Sequence, residues 1–296
     1  MAKPFTSQGA LLLSRPPPRE PLLLFRPSTR IFVPYAPSSL HPVRGRGPLL
    51  RARSSIPPSA LLRDAAALAL VGAGAYSFVR CFDILTERGL IGQKLSRKLV
   101  HVFSGLLFMA SWSIFSESFE ARFFAAFVPF LNCVRLLIYG LSFANDEGLV
   151  RSLSREGKPE ELLRGPLYYV LVLMFCALVF WRNSPVGVIS LSMMCGGDGF
   201  ADIMGRNFGS VKLPYNKHKS WVGSVFMFLS GFCVSMLMLH FFWMLGYMEL
   251  AWDPTAKKVA LIALSATVME SLPISEVVDD NLSVPLTTML MTFLLF

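Results

Sequence analysis

The chain has 296 residues, of which 53% are hydrophobic and only 16% charged, with a formal net charge of +9. An ordinary soluble domain carries about a quarter charged residues, so this composition argues against a water-soluble globule and for a protein integral to a membrane. The positive charge does not point to a nucleic-acid partner: nine Lys and Arg against the single acid Glu20 lie in residues 1–55, whereas the remainder holds nineteen basic and eighteen acidic side chains.

Residues 1–55 are rich in Arg, Ser and Pro, nearly free of acids, and without an apolar run long enough for a secretory signal. That pattern predicts a disordered organelle transit peptide ending near residue 55, and the many prolines disfavour the amphipathic helix of a mitochondrial signal, which leaves the plastid. A basic tail that stays attached is the alternative. From residue 60 to 296 a membrane domain is expected. Its apolar segments approach the length of about 20 residues needed to cross a bilayer. In chain order they are Ala65–Phe82, Leu99–Phe115, Phe123–Phe143, Pro166–Trp181, Pro185–Met204, Trp221–Met248, Val259–Val277 and Leu282–Phe296. The fold class predicted is all-α, a multi-pass transmembrane helical bundle of seven or eight helices. The last segment is short, and with the one before it could form a broken or re-entrant element.

These crossings put the loops 83–98, 144–165, 205–219 and 278–281 on one side, with twelve Lys and Arg against four on the other. The positive-inside rule assigns that side to the cytosol-like compartment, which in a plastid is the stroma.

Four features lie on or near that face. In the run 192–206, read as a helix, Asp198 and Asp202 are four apart on one face, and Gly205 continues it one turn on. Two carboxylates in a membrane helix are costly and need cations, so a magnesium ion holding phosphates is the expected partner of Asp198 and Asp202. A structural ion pair with Arg206 is the alternative. The loop that follows carries Arg206, Lys212, Lys217 and Lys219 without an acid; Gly205 and Gly209 would let a phosphate approach the backbone, and Ser220 is placed to cap the next helix. A basic loop that only sets topology is the plainer reading. No Walker A pattern occurs.

Glu270 sits inside an apolar segment and is followed by Asp279-Asp280-Asn281, where two adjacent acids could ligate a metal, take a proton from a hydroxyl, or simply cap the last helix. Arg97, Lys98 and His101 stand at the mouth of the second segment, suited either to phosphate contact or to headgroup anchoring, with a satisfied core histidine as the plain reading of His101. Arg135 inside the third segment has no assigned role. The five cysteines are scattered and read as small core residues, with neither disulfides nor a zinc site.

Arg97–His101, the block Cys195–Gly223, and Glu270-Ser271-Leu272-Pro273 with Asp279–Leu286 together resemble the phytol kinases of the polyprenol kinase family, in the same order. The resemblance spans nearly everything from Ala65 to Phe296. It implies a plastid membrane enzyme that phosphorylates the primary hydroxyl of phytol, prefers CTP as donor, and feeds tocopherol synthesis through phytyl phosphate. Farnesol or geranylgeraniol kinases of the same family share these motifs. The Asp-x-x-x-Asp, Gly-x-x-x-Gly and Lys-Ser-x-x-Gly elements are also similar to dolichol kinases and membrane cytidylyltransferases, but Val222 stands where the dolichol kinase pattern has Glu. On this reading Asp198, Asp202, Glu270, Asp279 and Asp280 are catalytic, and Gly205, Arg206, Gly209, Lys212, Lys219, Ser220 and Asn281 bind the nucleotide. The partners implied are an isoprenoid alcohol and membrane lipid. An ion-coupled transporter is the rival from another class, and it leaves the glycine-spaced basic loop unexplained.

Overall fold

A computed structural model describes residues 57–145, 147–154, 157–273 and 278–296. The expected transit peptide lies outside the described residues. Among those described the chain is all-α, with no strand and one isolated antiparallel bridge, Lys212 with Ser220.

Local sequence sets the helix starts. Pro58 opens α1 (Pro58–Glu87), where a missing amide hydrogen costs nothing. α2 (Gln93–Ser111) returns after a short turn, and α3 (Ala121–Gly140) carries Pro129 within it. A short α4 (Glu147–Leu153) precedes α5 (Gly165–Val179). Ser184 caps α6 (Pro185–Ser192), accepting from the Val186 amide at 3.3 Å. α6 runs on through a π-turn, Met193–Asp198, into α7 (Gly199–Phe208). Ser220 caps α8 (Trp221–Met244) through the Gly223 amide at 3.1 Å, as its position in the sequence suggests. α9 (Trp252–Ser271) and α10 (Asp280–Leu295) pack against one another, and Asp279 caps α10 through the Asn281 amide at 2.9 Å.

Among the described residues, five helices are long and apolar enough to cross a membrane: Pro58–Glu87, Ala121–Gly140, Pro159–Val179, Pro185–Phe208 and Trp221–Met244. They correspond to five of the eight expected segments. The described residues of the other three are largely helical too. α2 carries Lys94, Arg97 and Lys98 in its first turns, α9 begins with Asp253, Lys257 and Lys258, and α10 has only 16 residues.

The core is built from α2, α3, α5, α6, α8, α9 and α10. α6 after Pro185 and the π-turn are buried throughout, whereas α1 buries only Asp64 and Ala67. Small residues set the close crossings: a Cβ at Gly196 would strike Val234, and one at Gly231 would strike Met193. Cys133, Cys176 and Cys195 are buried as expected, but Cys81 and Cys233 are exposed, because they fall on outward faces of α1 and α8. None forms a disulfide.

Polar residues gather at two ends of the bundle. At one end the buried Arg182 donates to the carbonyls of Trp112 (2.7 Å), Phe115 (3.1 Å) and Ser116 (2.7 Å), pairs with Glu117, and lies over the Tyr247 ring. Beside it the fully buried Asp64 accepts from the Ser116 amide and from the hydroxyls of Ser116 and Ser118. This knot ties the start of α1 to the chain after α2 and before α6. The opposite end holds the residues singled out from the sequence.

Candidate active site

Three acids from three elements converge there. Asp198 ends the π-turn, Glu270 lies in the last turn of α9, and Asp280 opens α10; each offers a carboxylate oxygen within 4.8 Å of the others. Their burial demands counter-charge. Lys219 supplies it from the loop: its ammonium donates to Glu270 Oε1 and, at 2.8 Å, to Asp280 Oδ2. Burial opposes the charge on Lys219, yet the carboxylates of Glu270, Asp280 and Asp198 outweigh that cost and raise its pKa above the ordinary lysine value. It is therefore a fixed cation.

Lys98 supplies the second cation. Its ammonium lies 3.1 Å from Asp198 Oδ2 and 3.6 Å from Asp202 Oδ2, so the two acids expected on one helical face do share a partner across from α2. Asp202 is also held from its other side by Arg206, Nε to Oδ1 at 2.7 Å, four residues on in α7. The structure thus contains the Asp202–Arg206 pair and groups Asp198 with Glu270 and Asp280.

His101 turns inward beside Lys98, with Nε2 at 3.3 Å from the Met194 carbonyl and 4.0 Å from Asp198 Oδ2. Its ring packs on Tyr169 at 4.3 Å between centroids, and the Tyr169 hydroxyl donates to the His101 carbonyl at 2.8 Å. Arg97 faces the same cavity. Nothing in the sequence marked Tyr169; only its recurrence with Ser104 and Cys195 around one hydroxyl identifies it.

The basic loop is strapped across the end of α9. The Asn216 amide group donates to the carbonyls of Ser271 (3.0 Å) and Leu272 (3.2 Å), and the Tyr215 hydroxyl to Ser271 Oγ (3.1 Å). The strap turns Lys219 back onto Glu270, while Lys212 and Lys217 remain exposed. Asn216 and Tyr215 also escaped the sequence reading, because the burial that marks Asn216 appears only once the loop has folded against α9. Gly205 serves helix packing: a Cβ there would meet Ser220 Oγ at 3.1 Å and Gly223 Cα at 3.3 Å, so α8 fills the space beside it. A side chain at Gly209 would likewise strike Ser220. Asp279 is committed to capping, which separates it from its neighbour Asp280. Asn281 donates to the Gly165 carbonyl at 3.3 Å and so ties α10 to α5.

Four buried oxygens of this end have no hydrogen-bond partner: Asp202 Oδ2, Glu270 Oε2, Asp280 Oδ1 and Asn281 Oδ1. A buried carboxylate oxygen left unpaired costs several kcal/mol, of order 1–3 even for a neutral group. Asp198, Asp202, Glu270 and Asp280 face Lys98, Lys219 and Arg206, one negative charge in excess. The donor set, all hard oxygens, suits a divalent cation such as magnesium. The cluster opens onto a cavity of about 2870 Å³ whose walls away from the acids are apolar faces of α1, α2, α3 and α5.

Known proteins match this chain over most of its length. It is 54% identical over 257 residues to phytol kinase 1, chloroplastic, of Arabidopsis thaliana, covering 85% of this chain and 84% of that protein. The chain belongs to the phytol kinase family. A probable phytol kinase, chloroplastic, of Triticum aestivum is 65% identical over 250 residues, covering 84% and 83% of the two chains. Farnesol kinase, chloroplastic, of Arabidopsis thaliana is 40% identical over 269 residues, covering 91% and 87%. No family model matches the chain. No solved structure matches it either. Membership makes the chain an enzyme, a phosphotransferase with an alcohol acceptor, and sets aside the transporter and cytidylyltransferase readings.

Proposed function

We propose that this chain is a CTP-dependent phytol kinase of a plastid membrane. It transfers the terminal phosphoryl group to the primary hydroxyl of phytol and yields phytyl phosphate for tocopherol synthesis. The observation that carries the reading is the buried cluster Asp198, Glu270 and Asp280, braced by Lys98 and Lys219 and open to a cavity with apolar walls. A site for a charged donor and a greasy acceptor needs both halves in contact.

Phosphoryl transfer asks the protein mainly to position reactants and to neutralise charge. Asp198 and Glu270, with Asp280 Oδ1 kept for the hydroxyl proton, would hold magnesium, which when bound shields the phosphate oxygens from the carboxylates. Lys219 keeps Glu270 and Asp280 together and turned inward. Lys98 does the same for Asp198 and Asp202. Lys212 and Arg206, at the rim, meet the outer phosphates, and Arg97 adds a third cation there. Asp280 Oδ1 is the free acceptor for the hydroxyl proton, which in a loose transition state leaves late. His101 and Tyr169 form the floor on which the hydroxyl end rests. The excess of Lys and Arg in the loops of this end faces it toward the stroma, where soluble nucleotides are present.

The identities favour phytol over farnesol as acceptor, since phytol kinases from wheat and Arabidopsis match more closely than the farnesol kinase does. The test is a membrane assay with CTP, ATP, UTP and GTP, each labelled at the terminal phosphate, against phytol, geranylgeraniol and farnesol. Label in extractable phytyl phosphate, strongest with CTP, is expected. Label retained wholly in water-soluble products with every alcohol would overturn the reading.

A further inference from the structure

The inner faces of the helices around the cavity follow the helical period. The lining takes in residues from most of the length of α1, among them Leu68, Gly72 and Val79 at helical spacing, and on α2 His101, Ser104, Phe108 and Ser111. A groove therefore runs along these helices from the acid cluster toward the opposite end of the bundle. Its lining reaches Ile114. From His101 to Ile114, at about 1.5 Å per residue, it is about 20 Å deep, against a hydrocarbon layer of about 30 Å. The outer wall is α1, the least buried of the helices.

Gly72 is placed to decide how much of this depth is usable. α1 runs back along α2 after the turn at 88–92, so Gly72 lies about level with Phe108, roughly 10 Å below His101. A Cβ at Gly72 would meet nothing within 4 Å, although the residue lines the cavity and is partly buried. A glycine inside a helix is unfavourable by about 1 kcal/mol against alanine. No neighbouring helix occupies the space it leaves, unlike the space at Gly205 or Gly196.

We infer that the groove between α1 and α2 takes the isoprenoid tail of the acceptor alcohol, and that the bare position Gly72 lets long tails pass to the depth of Leu68 and Ile114. The inference rests on the reading of the acceptor as an isoprenoid alcohol and adds where its tail lies and what measures its length. The groove is continuous with the carboxylates where the hydroxyl must react, and it is walled largely by apolar side chains along the little-buried α1.

The experiment uses the full chain in membranes, with phytol and the much shorter geraniol as acceptors. Gly72→Phe places a ring in the open space and is expected to raise the geraniol-to-phytol ratio of kcat/KM about tenfold or more. Ala73→Phe adds the same bulk on the same turn but off the cavity, and is expected to leave the ratio at the wild-type value. A ratio unchanged by Gly72→Phe, with phytol still turned over, overturns the inference. Independently, wild-type protein is irradiated with phytol bearing a diazirine at the tail end. Labelling at 65–72 of α1 or 107–114 of α2 supports the groove, and labelling confined to other helices sinks it. Groove labelling by a chain that phosphorylates no alcohol would overturn the kinase reading alone.

Discussion

The two polar ends of this bundle contain similar chemistry and settle it oppositely. Around Arg182 and Asp64 each carboxylate oxygen and guanidinium group meets a carbonyl, hydroxyl, amide or counter-ion of the protein itself. Around Asp198, Glu270 and Asp280 the lysines satisfy only one side of each acid, and Glu270 Oε2 and Asp280 Oδ1 remain without partners. A closed knot stabilises; an incomplete one stores affinity for something not made of protein. The distinction is invisible to a count of buried charges. It appears only when each oxygen is followed to its partner.

That contrast predicts a separation of stability from activity. Asp198→Asn keeps the shape and removes one like charge, so turnover is expected to fall by about a hundredfold to a thousandfold. Its thermal midpoint in detergent should stay equal or rise; a large drop in midpoint would mean that this end, too, is a structural knot. Arg182→Met should do the reverse, costing about 3 kcal/mol or more because the carbonyls of Trp112, Phe115 and Ser116 lose their donor in a buried site. Folded yield and melting temperature report it, and turnover per folded molecule should match wild type. Magnesium sharpens the comparison further. At about a hundredfold over its dissociation constant it should add about 2.7 kcal/mol to wild-type stability, and nothing to Asp198→Asn. The smallest effect is expected from Asn216→Ala, which frees the strap over α9 for about 1 kcal/mol of stability. There the Michaelis constant for nucleotide should rise severalfold while that for the alcohol holds, because only the Lys219 loop is loosened.

Much of this was readable in the chain. The order of apolar segments gives the bundle, and the polar residues between them fall at alternating ends because antiparallel helices return them there. Asp198 and Glu270 could be singled out because charge is rare in such segments, and Lys219 and Asp280 because their loops fall at the same end. What periodicity could not supply is which oxygen faces which partner. Asp279 and Asp280 look equivalent in sequence, yet the geometry of a helix start engages the first as a cap and turns the second onto Lys219. Gly205 and Gly209 look like a phosphate cradle, and the geometry adds that a Cβ at either would also press on Ser220 at the start of α8. Asp64 gave no signal: its partners Ser116 and Ser118 lie more than fifty residues away. Arg182 registered only as a loop charge for the same reason.

The π-turn at Met193–Asp198 acts as a phase shifter. Each residue in a helix advances its neighbours by about 100° around the axis, so one additional residue in a turn rotates all that follows relative to all that precedes. Upstream, α6 must point Val188, Ile189 and Leu191 into the core; downstream, α7 must aim Asp202 at Lys98. A uniform α-helix would hold both segments to one angular setting. The wide turn lets packing and charge placement be adjusted separately along one continuous rod, so that the acids can be aimed without repacking the core that holds them.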